Sequence, residues 1–147
     1  MARIVLLAVG KVKERGIREA IDDYLGRVRR HHTVEEIELR DAPEKELAAS
    51  FERRLPPSAH VVALDVAGSA RTSQAFARWL DARTSQGKGH LVFLVGGADG
   101  LPPAVLAQAH ERLSLSSMTL PHRLARLILA EQLYRAVTIL RGEPYAR

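Results

Sequence analysis

The sequence predicts an α/β protein with a mainly parallel sheet and helices on both faces. Two observations predict it: short apolar runs alternate with helix-like segments along the chain, and most of the runs are continuously apolar. Continuous apolar runs are typical of strands covered on both faces by helices. Because 147 residues are enough for one hydrophobic core, we expect a single domain spanning residues 1–147.

Five segments are predicted to be strands. Four are apolar runs at residues 3–9, 34–39, 60–66 and 90–95. The second of these carries its apolar residues among glutamates, which favours a position at an edge of the sheet. A fifth strand, residues 112–117, alternates leucines with serines.

Five segments are predicted to be helices. Residues 17–30 place apolar side chains at helical spacing, and residues 44–55 lie between Pro43 and Pro56. Thr72 is expected to cap a helix that ends at Gly87. Two further helices are expected at residues 103–113 and 122–140.

The last predicted helix is apolar on most of its circumference, and such a helix is buried. A chain of this size cannot easily surround a helix by itself. We therefore predict a homodimer with residues 122–140 at or near the interface, since twofold dimers are the commonest oligomers. Burial within the core of a single subunit is the alternative.

The composition indicates a globular protein without disulfides or membrane spans. It is 46% hydrophobic and 27% charged, it has no cysteine, and no apolar run approaches the roughly 20 residues that cross a bilayer. We expect a cytoplasmic protein. The net charge is +5, and five arginines fall between residues 123 and 147. This basic end fits an RNA-binding surface and a solvated helix face equally well.

Polar side chains reveal little chemistry by themselves. The six histidines lack the spacing of a metal site, so no metal is expected. The glycines between Gly96 and Gly100 match no phosphate-binding motif, and on their own they are better explained by a tight turn. Glu131 and Arg135, four residues apart, are better explained as a helix ion pair than as a general base with its orienting partner.

Three segments fall at predicted strand ends: residues 64–65, the glycine loop, and residues 113–120. The carboxyl ends of parallel strands are where α/β proteins bind ligands. Backbone groups and leucines at these ends could hold a purine, a kind of site that leaves almost no polar side-chain pattern.

A resemblance extends this interpretation. "LVFLVGGADGL" and the segment from "LSLSSMTLPH" to the end closely resemble the small ribosomal RNA methyltransferases of the SPOUT superfamily that methylate N3 of a pseudouridine in 23S rRNA. "LLAVGKVKE" and "AIDDYLGRV" extend the likeness over essentially the whole chain. The spacing of "MTLPH", "EQLYRA" and "GEPY" is specific, whereas the glycines alone are not. The resemblance implies a C-terminal trefoil knot, a homodimer, and S-adenosylmethionine bound in the knot.

The resemblance also implies which residues contact the cofactor. They are Leu64, Gly96, Leu115, Ser116, Ser117, Met118, Thr119 and Leu120. Gly96 is expected to let the backbone come close to the methyl donor, so that a side chain at this position would occupy the cofactor's place.

The implied reaction needs alignment and proton removal more than a protein nucleophile, because the sulfonium already activates the methyl group. Tyr145 and Arg147 are the expected catalytic residues. The expected contacts with RNA phosphates are Arg123, Arg126 and Arg141.

The tail departs from the family pattern, because Ala146 stands where the family usually has a histidine. Proton removal would then fall to Tyr145, another group or solvent. Two alternatives stay open: a non-catalytic RNA-binding or ribosome-assembly protein that has lost activity, and a SPOUT methyltransferase that acts on another RNA.

Overall fold

The computed structural model describes residues 3–86 and 89–145 as five strands and five helices. In chain order they are β1 (Arg3–Val9), α1 (Arg15–Val28), β2 (Thr33–Leu39), α2 (Glu44–Arg54), β3 (His60–Ala70), α3 (Ser73–Ser85), β4 (His90–Val95), α4 (Pro103–Gln108), β5 (Glu111–Ser114) and α5 (His122–Arg141). The described strands form one sheet in the order β2-β1-β4-β3-β5, and every neighbouring pair is parallel.

The predicted α/β class is confirmed, with β1 and β4 at their predicted bounds and β2 at an edge. Thr72 caps α3 as expected, since its hydroxyl accepts a hydrogen bond of 3.0 Å from the backbone N–H of Ala75. Three boundaries are wrong by three residues or more, and the strand predicted at residues 112–117 is one of them, because β5 ends at Ser114. The predicted helix 103–113 ends at Gln108, because residues 111–114 pair with β3 instead. β3 continues to Ala70, where it pairs with β5 again after a register shift.

Both faces of the sheet are covered. On one face, α1, α3 and α5 pack against a layer that includes Ile4, Leu6 and Phe93. On the other face, α2 and α4 pack against a layer that includes Val5 and Leu7. Successive residues of a strand point to opposite faces, so β1 needs apolar residues at every position. This is the physical reason for its continuous apolar run.

Helix α5 lies between α1 and α3 and is largely buried within its own subunit. Five of its apolar side chains are at most 3% exposed: Leu129, Ala130, Leu133, Ala136 and Val137. Leu124 and Leu140 remain 38% and 41% exposed. Intrasubunit packing therefore accounts for most of the helix's apolar circumference. Its path, from an edge strand into the middle of the helical layer, is consistent with the knot that the resemblance implies.

A buried guanidinium attaches α5 to the β2 edge of the sheet. The side chain of Arg126 is 2% exposed; its Nε donates to Glu36 at 2.8 Å, its Nη1 donates to the carbonyl of Gly10 at 3.0 Å, and its Nη2 donates to Glu38. Arg18 of α1 pairs with the same two glutamates. The glutamates that made β2 look like an edge strand are thus partners of two helices.

A second ionic cluster lies at the opposite, β5 edge. The carboxylate of Glu111 accepts hydrogen bonds from Arg71 at 3.0 Å, Trp79 at 3.1 Å and Arg83 at 3.2 Å, and it lies 2.5 Å from Nε2 of His60. Burial alone would raise the pKa of Glu111, but His60, Arg71, Trp79 and Arg83 outweigh it and lower this pKa to about 2. The cluster joins β3, α3 and β5.

Within residues 3–86 and 89–145, no helix is both long and apolar enough to cross a membrane.

Replacing Arg126 with methionine should lower the free energy of unfolding by about 3 kcal/mol, because Glu36 and Glu38 would lose their ion pairs with Arg126 and keep those with Arg18. Urea unfolding at a fixed protein concentration measures this change. Arg123→Met is the matched control, since it removes a partly exposed ion pair with Glu14 and should cost less than about 1 kcal/mol. Equal losses in the two variants would contradict a structural role for Arg126.

Glu111→Gln should destabilise the protein most at neutral pH. A lowered pKa means that the ionised carboxylate stabilises the fold above its ordinary pKa of 4.5, and that this stabilisation is lost as the pH falls toward 2. The stability gap between wild type and variant should therefore narrow between pH 5 and about 2.5, measured by thermal or urea unfolding. Glu19→Gln, at an exposed pair with Arg15, is the control. A gap that stays constant over this range would show that charge is not the cause.

Candidate active site

A cleft lies at the carboxyl ends of the central strands. Its empty volume is about 600 Å³, including the open mouth. Three parts of the chain form its walls: the point where β3 separates from β4, the loop after β4, and the segment between β5 and the start of α5. The lining residues are Leu64, Asp65, Val66, Val95, Gly96, Gly97, Gly100, Leu101, Leu113, Leu115, Ser116, Met118, Thr119, Leu120, His122 and Ala125.

The structure brings together seven of the eight residues predicted to contact the cofactor. Leu64, Gly96, Leu115, Ser116, Met118, Thr119 and Leu120 all line the cleft. Ser117 lies in the same loop but does not contribute to the lining. Sequence reasoning missed the lining residues outside the three predicted segments, which are Val66, Val95, Leu101, His122 and Ala125. The position of His122, directly after Pro121 at the first residue of α5, was a usable signal for a residue at the cleft.

The glycine loop has a different role for Gly96 from the one expected. Gly100 donates a hydrogen bond of 3.0 Å to the carbonyl of Gly97 and has a φ of +77°, so the loop folds back on itself. A Cβ at position 96 would lie 2.5 Å from the carbonyl carbon of Gly100 and 2.8 Å from the nitrogen of Leu101. The expectation that a side chain here would fill the cofactor's place is therefore wrong, because it would collide first with the loop's own backbone.

Hydrogen bonds within the chain shape the loop between β5 and α5. The hydroxyl of Ser114 donates to the carbonyl of Ser116 at 2.9 Å, and the hydroxyl of Ser116 accepts from the N–H of Met118 at 3.0 Å. Met118 is 75% exposed and Val66 is 54% exposed. The walls of the cleft therefore consist of aliphatic side chains and backbone groups, and Met118 and Val66 add exposed apolar surface. Among the described residues, no group of three or more His, Asp or Glu side chains is placed to hold a metal ion.

Tyr145 of the tail packs against the middle of α5. Its hydroxyl donates to Glu131 at 2.7 Å and lies 3.4 Å from the hydroxyl of Tyr24. Its ring packs edge-on against the ring of Tyr134, with 4.6 Å between the two ring centres. The guanidinium of Arg135 lies 5.1 Å from the centre of the Tyr145 ring. Burial and the hydrogen bonds with Tyr24 and Glu131 raise the pKa of Tyr145, so the side chain is a neutral phenol. The predicted ion pair between Glu131 and Arg135 is confirmed at 2.8 Å.

Tyr145 does not reach the cleft of its own subunit. It contacts Glu131, which lies nine residues beyond His122, or about 14 Å along the helix axis. The other predicted catalytic residue, Arg147, and the unusual Ala146 lie outside the described residues.

The three arginines predicted to contact RNA have different environments. Arg126 is buried and its guanidinium is occupied by Glu36, Glu38 and Gly10, so the prediction that it contacts phosphates is wrong. Arg123 and Arg141 are 42% and 55% exposed at opposite ends of α5. Each is bridged by a neighbouring glutamate, Arg123 by Glu14 at 2.6 Å and Arg141 by Glu143 at 3.0 Å.

The fold resembles that of a protein whose structure was solved in work on the 2-OH methylation of C/U34 on tRNA. The likeness covers 97% of this chain and 99% of that one, with a TM-score of 0.53 and 20% sequence identity. At this identity the likeness concerns the fold alone.

Sequence comparison is closer. A family described as predicted SPOUT methyltransferase matches residues 2–146. The ribosomal RNA large subunit methyltransferase H of Sorangium cellulosum is 53% identical over 98% of this chain and 99% of its own length. The protein of the same name from Gemmatimonas aurantiaca is 43% identical over 97% and 98%. Matches of this identity and coverage show that the chain belongs to the SPOUT methyltransferase family.

Proposed function

We propose that this protein transfers a methyl group from S-adenosylmethionine to N3 of a pseudouridine in large-subunit ribosomal RNA. The observation that carries the proposal is the near full-length identity of 53% with a ribosomal RNA large subunit methyltransferase. The choice of pseudouridine N3 rests on the family resemblance. A cytoplasmic location beside the ribosome follows from the same proposal.

The cleft is chemically suited to a nucleoside that carries an aliphatic sulfonium. Leu64, Leu115 and Leu120 offer aliphatic cover for a purine, and the loop at Gly96 offers backbone groups for hydrogen bonds. When bound, S-adenosylmethionine supplies a methyl group already activated by its sulfonium charge. The residues of this chain then have to orient the target base and exclude water from the reacting atoms.

The tail residue Tyr145 would act in the cleft of a partner subunit. It lies too far from its own cleft to touch a base there, while Leu124 and Leu140 leave exposed apolar surface on α5. A homodimer that brings α5 helices together would use this surface and present the tail of one subunit to the other. As a neutral phenol, Tyr145 would position the target base by hydrogen bonding, and the N3 proton would leave through Glu131 or solvent.

A non-catalytic RNA-binding protein is the second candidate function. Two observations favour it: Ala146 replaces the usual histidine of the tail, and the hydroxyl of Tyr145 is already engaged by Glu131. This candidate predicts ribosome binding without methyl transfer, and activity restored by Ala146→His.

The test is transfer of a labelled methyl group to intact ribosomes and to separate subunits, followed by mapping of the modified nucleotide. We expect label at N3 of one pseudouridine of the large-subunit RNA. Binding of S-adenosylmethionine without transfer to any RNA would favour the non-catalytic alternative. Label at another nucleotide would identify a SPOUT enzyme with a different target.

Two tail variants refine the same measurement. Tyr145→Phe should lower kcat at least tenfold and leave the cofactor Kd unchanged, because the phenol acts on the base and not on the cofactor. Glu143→Gln, which changes an exposed ion pair of the tail, is the control and should leave kcat within a factor of two. Normal turnover in Tyr145→Phe would remove the catalytic role.

Gly96→Ala should weaken S-adenosylmethionine binding at least tenfold. The added Cβ would lie within 3 Å of the backbone at Gly100 and Leu101, so the loop must shift and one wall of the cleft moves with it. Calorimetric titration measures the Kd, and thermal unfolding should show a lower Tm.

The control is Gly26→Ala in α1, where an added Cβ meets no atom within 4 Å. It should stabilise the protein by roughly 0.5–1 kcal/mol and leave the Kd unchanged. Cofactor affinity in Gly96→Ala equal to that of wild type would place the cofactor elsewhere.

A further inference from the structure

The loop between β1 and α1, residues 10–14, is fixed to the start of α5 at two points, and we call it the rim loop. At one end the carbonyl of Gly10 accepts a hydrogen bond of 3.0 Å from Arg126. At the other end Glu14 pairs with Arg123 at 2.6 Å. Since His122 and Ala125 line the cleft, these contacts place the rim loop beside the cleft's mouth.

The rim loop directs its charges outward. Val12 is 9% exposed and belongs to the hydrophobic core, whereas Lys11 and Lys13 on either side of it are exposed. Packing of Val12 therefore holds the two lysines at the surface instead of leaving them on a loose segment.

The positive charges of the rim loop are not used in ion pairs within the described residues. Glu14 is paired with Arg123, and Arg15 is paired with Glu19. Among residues 3–86 and 89–145, neither Lys11 nor Lys13 has an acidic partner within ion-pair distance. Within the described residues, the rim loop therefore carries two ammonium groups without an acidic partner, in the same loop as the Glu14 that pairs with Arg123.

We propose that Lys11 and Lys13 bind backbone phosphates of the substrate RNA next to the target nucleotide. The proposal rests on the proposed function, because a base that enters the cleft brings its flanking phosphates to the mouth. Lysine ammonium groups contact phosphates without reading sequence, and such contacts position the nucleic acid. The exposed Met118 and Val66 give another part of the mouth an apolar surface on which neighbouring bases can pack.

The test compares Lys11→Gln/Lys13→Gln with wild type in methyl transfer to ribosomal RNA at several salt concentrations. The matched control is Lys45→Gln/Arg54→Gln, which removes the same charge from exposed residues of α2 on the opposite face of the sheet. We expect the KM for RNA to rise at least tenfold at low salt in the rim-loop variant, with kcat within a factor of two and the cofactor Kd unchanged. The plot of log affinity against log salt should become shallower by about 1.4, for two phosphate contacts to single-stranded RNA.

Glu14→Gln tests whether a more positive rim loop lowers the KM for RNA. It removes a negative charge from the rim loop and frees Arg123, so the KM for RNA should fall two- to threefold at low salt. A rim loop that served only to support the fold would give a KM that is unchanged or higher.

Each failure has its own signature. Wild-type protein that methylates its RNA, together with a rim-loop variant that matches the α2 control in KM and salt dependence, would overturn the phosphate contacts and leave the proposed function standing. Wild-type protein that neither methylates nor binds ribosomal RNA would overturn both. A rim-loop variant with unchanged salt dependence and an altered oligomeric state by sedimentation would show instead that the lysines contact a second subunit.

Discussion

The architecture of the cleft depends on one buried guanidinium. Arg126 fixes the start of α5 to β2, although the strand that precedes α5 in the chain is β5, at the opposite edge of the sheet. Four strand spacings separate these edges, or roughly 19 Å. The seven residues between Ser114 and His122 can extend over about 25 Å. The segment between them therefore crosses the strand ends, where its hydrogen-bonded bends at Ser114 and Ser116 form one wall of the cleft.

Charge also secures the opposite edge. There Glu111, at the start of β5, forms hydrogen bonds and ion pairs with side chains from β3, the turn after it and α3. An edge strand has unpaired backbone groups and gains less than a central strand from burial. Attaching β2 and β5 to the helical layer by ionic clusters compensates for this at both sides. The central strands β1 and β4 need no such cluster because apolar packing covers both of their faces.

The sequence predicted the fold well wherever local pattern and tertiary packing agree. The continuous apolar runs identified β1 and β4 because burial on both faces leaves no room for polar residues. The end of β3 was missed, since small residues such as Gly68 and Ala70 show no apolar periodicity. The short helix α4 was overextended because His110, which exchanges two hydrogen bonds with the backbone of Val61, belongs to the sheet contact instead. Periodicity cannot report a partner 49 residues away.

The site was predictable only in part for the same reason. Its lining is aliphatic or backbone, so the residues alone suggested strand ends, and the family resemblance supplied the cofactor. The buried state of Arg126 could not be foreseen, because its carboxylate partners lie about ninety residues earlier in the chain. Gly96 lines the cleft, but the near neighbour of a Cβ at this position is the backbone of the loop.

The tyrosines and the tryptophan lie in different parts of the molecule. All three tyrosines of the chain, Tyr24, Tyr134 and Tyr145, meet where the tail docks on α1 and α5, whereas the single tryptophan, Trp79, lies in the Glu111 cluster at the β5 edge. Tyrosine absorbance and tryptophan emission therefore report on different ends of the molecule without any added label. A displacement of Tyr145 from Tyr24 and Tyr134 would change the first signal, while the second monitors the integrity of the sheet.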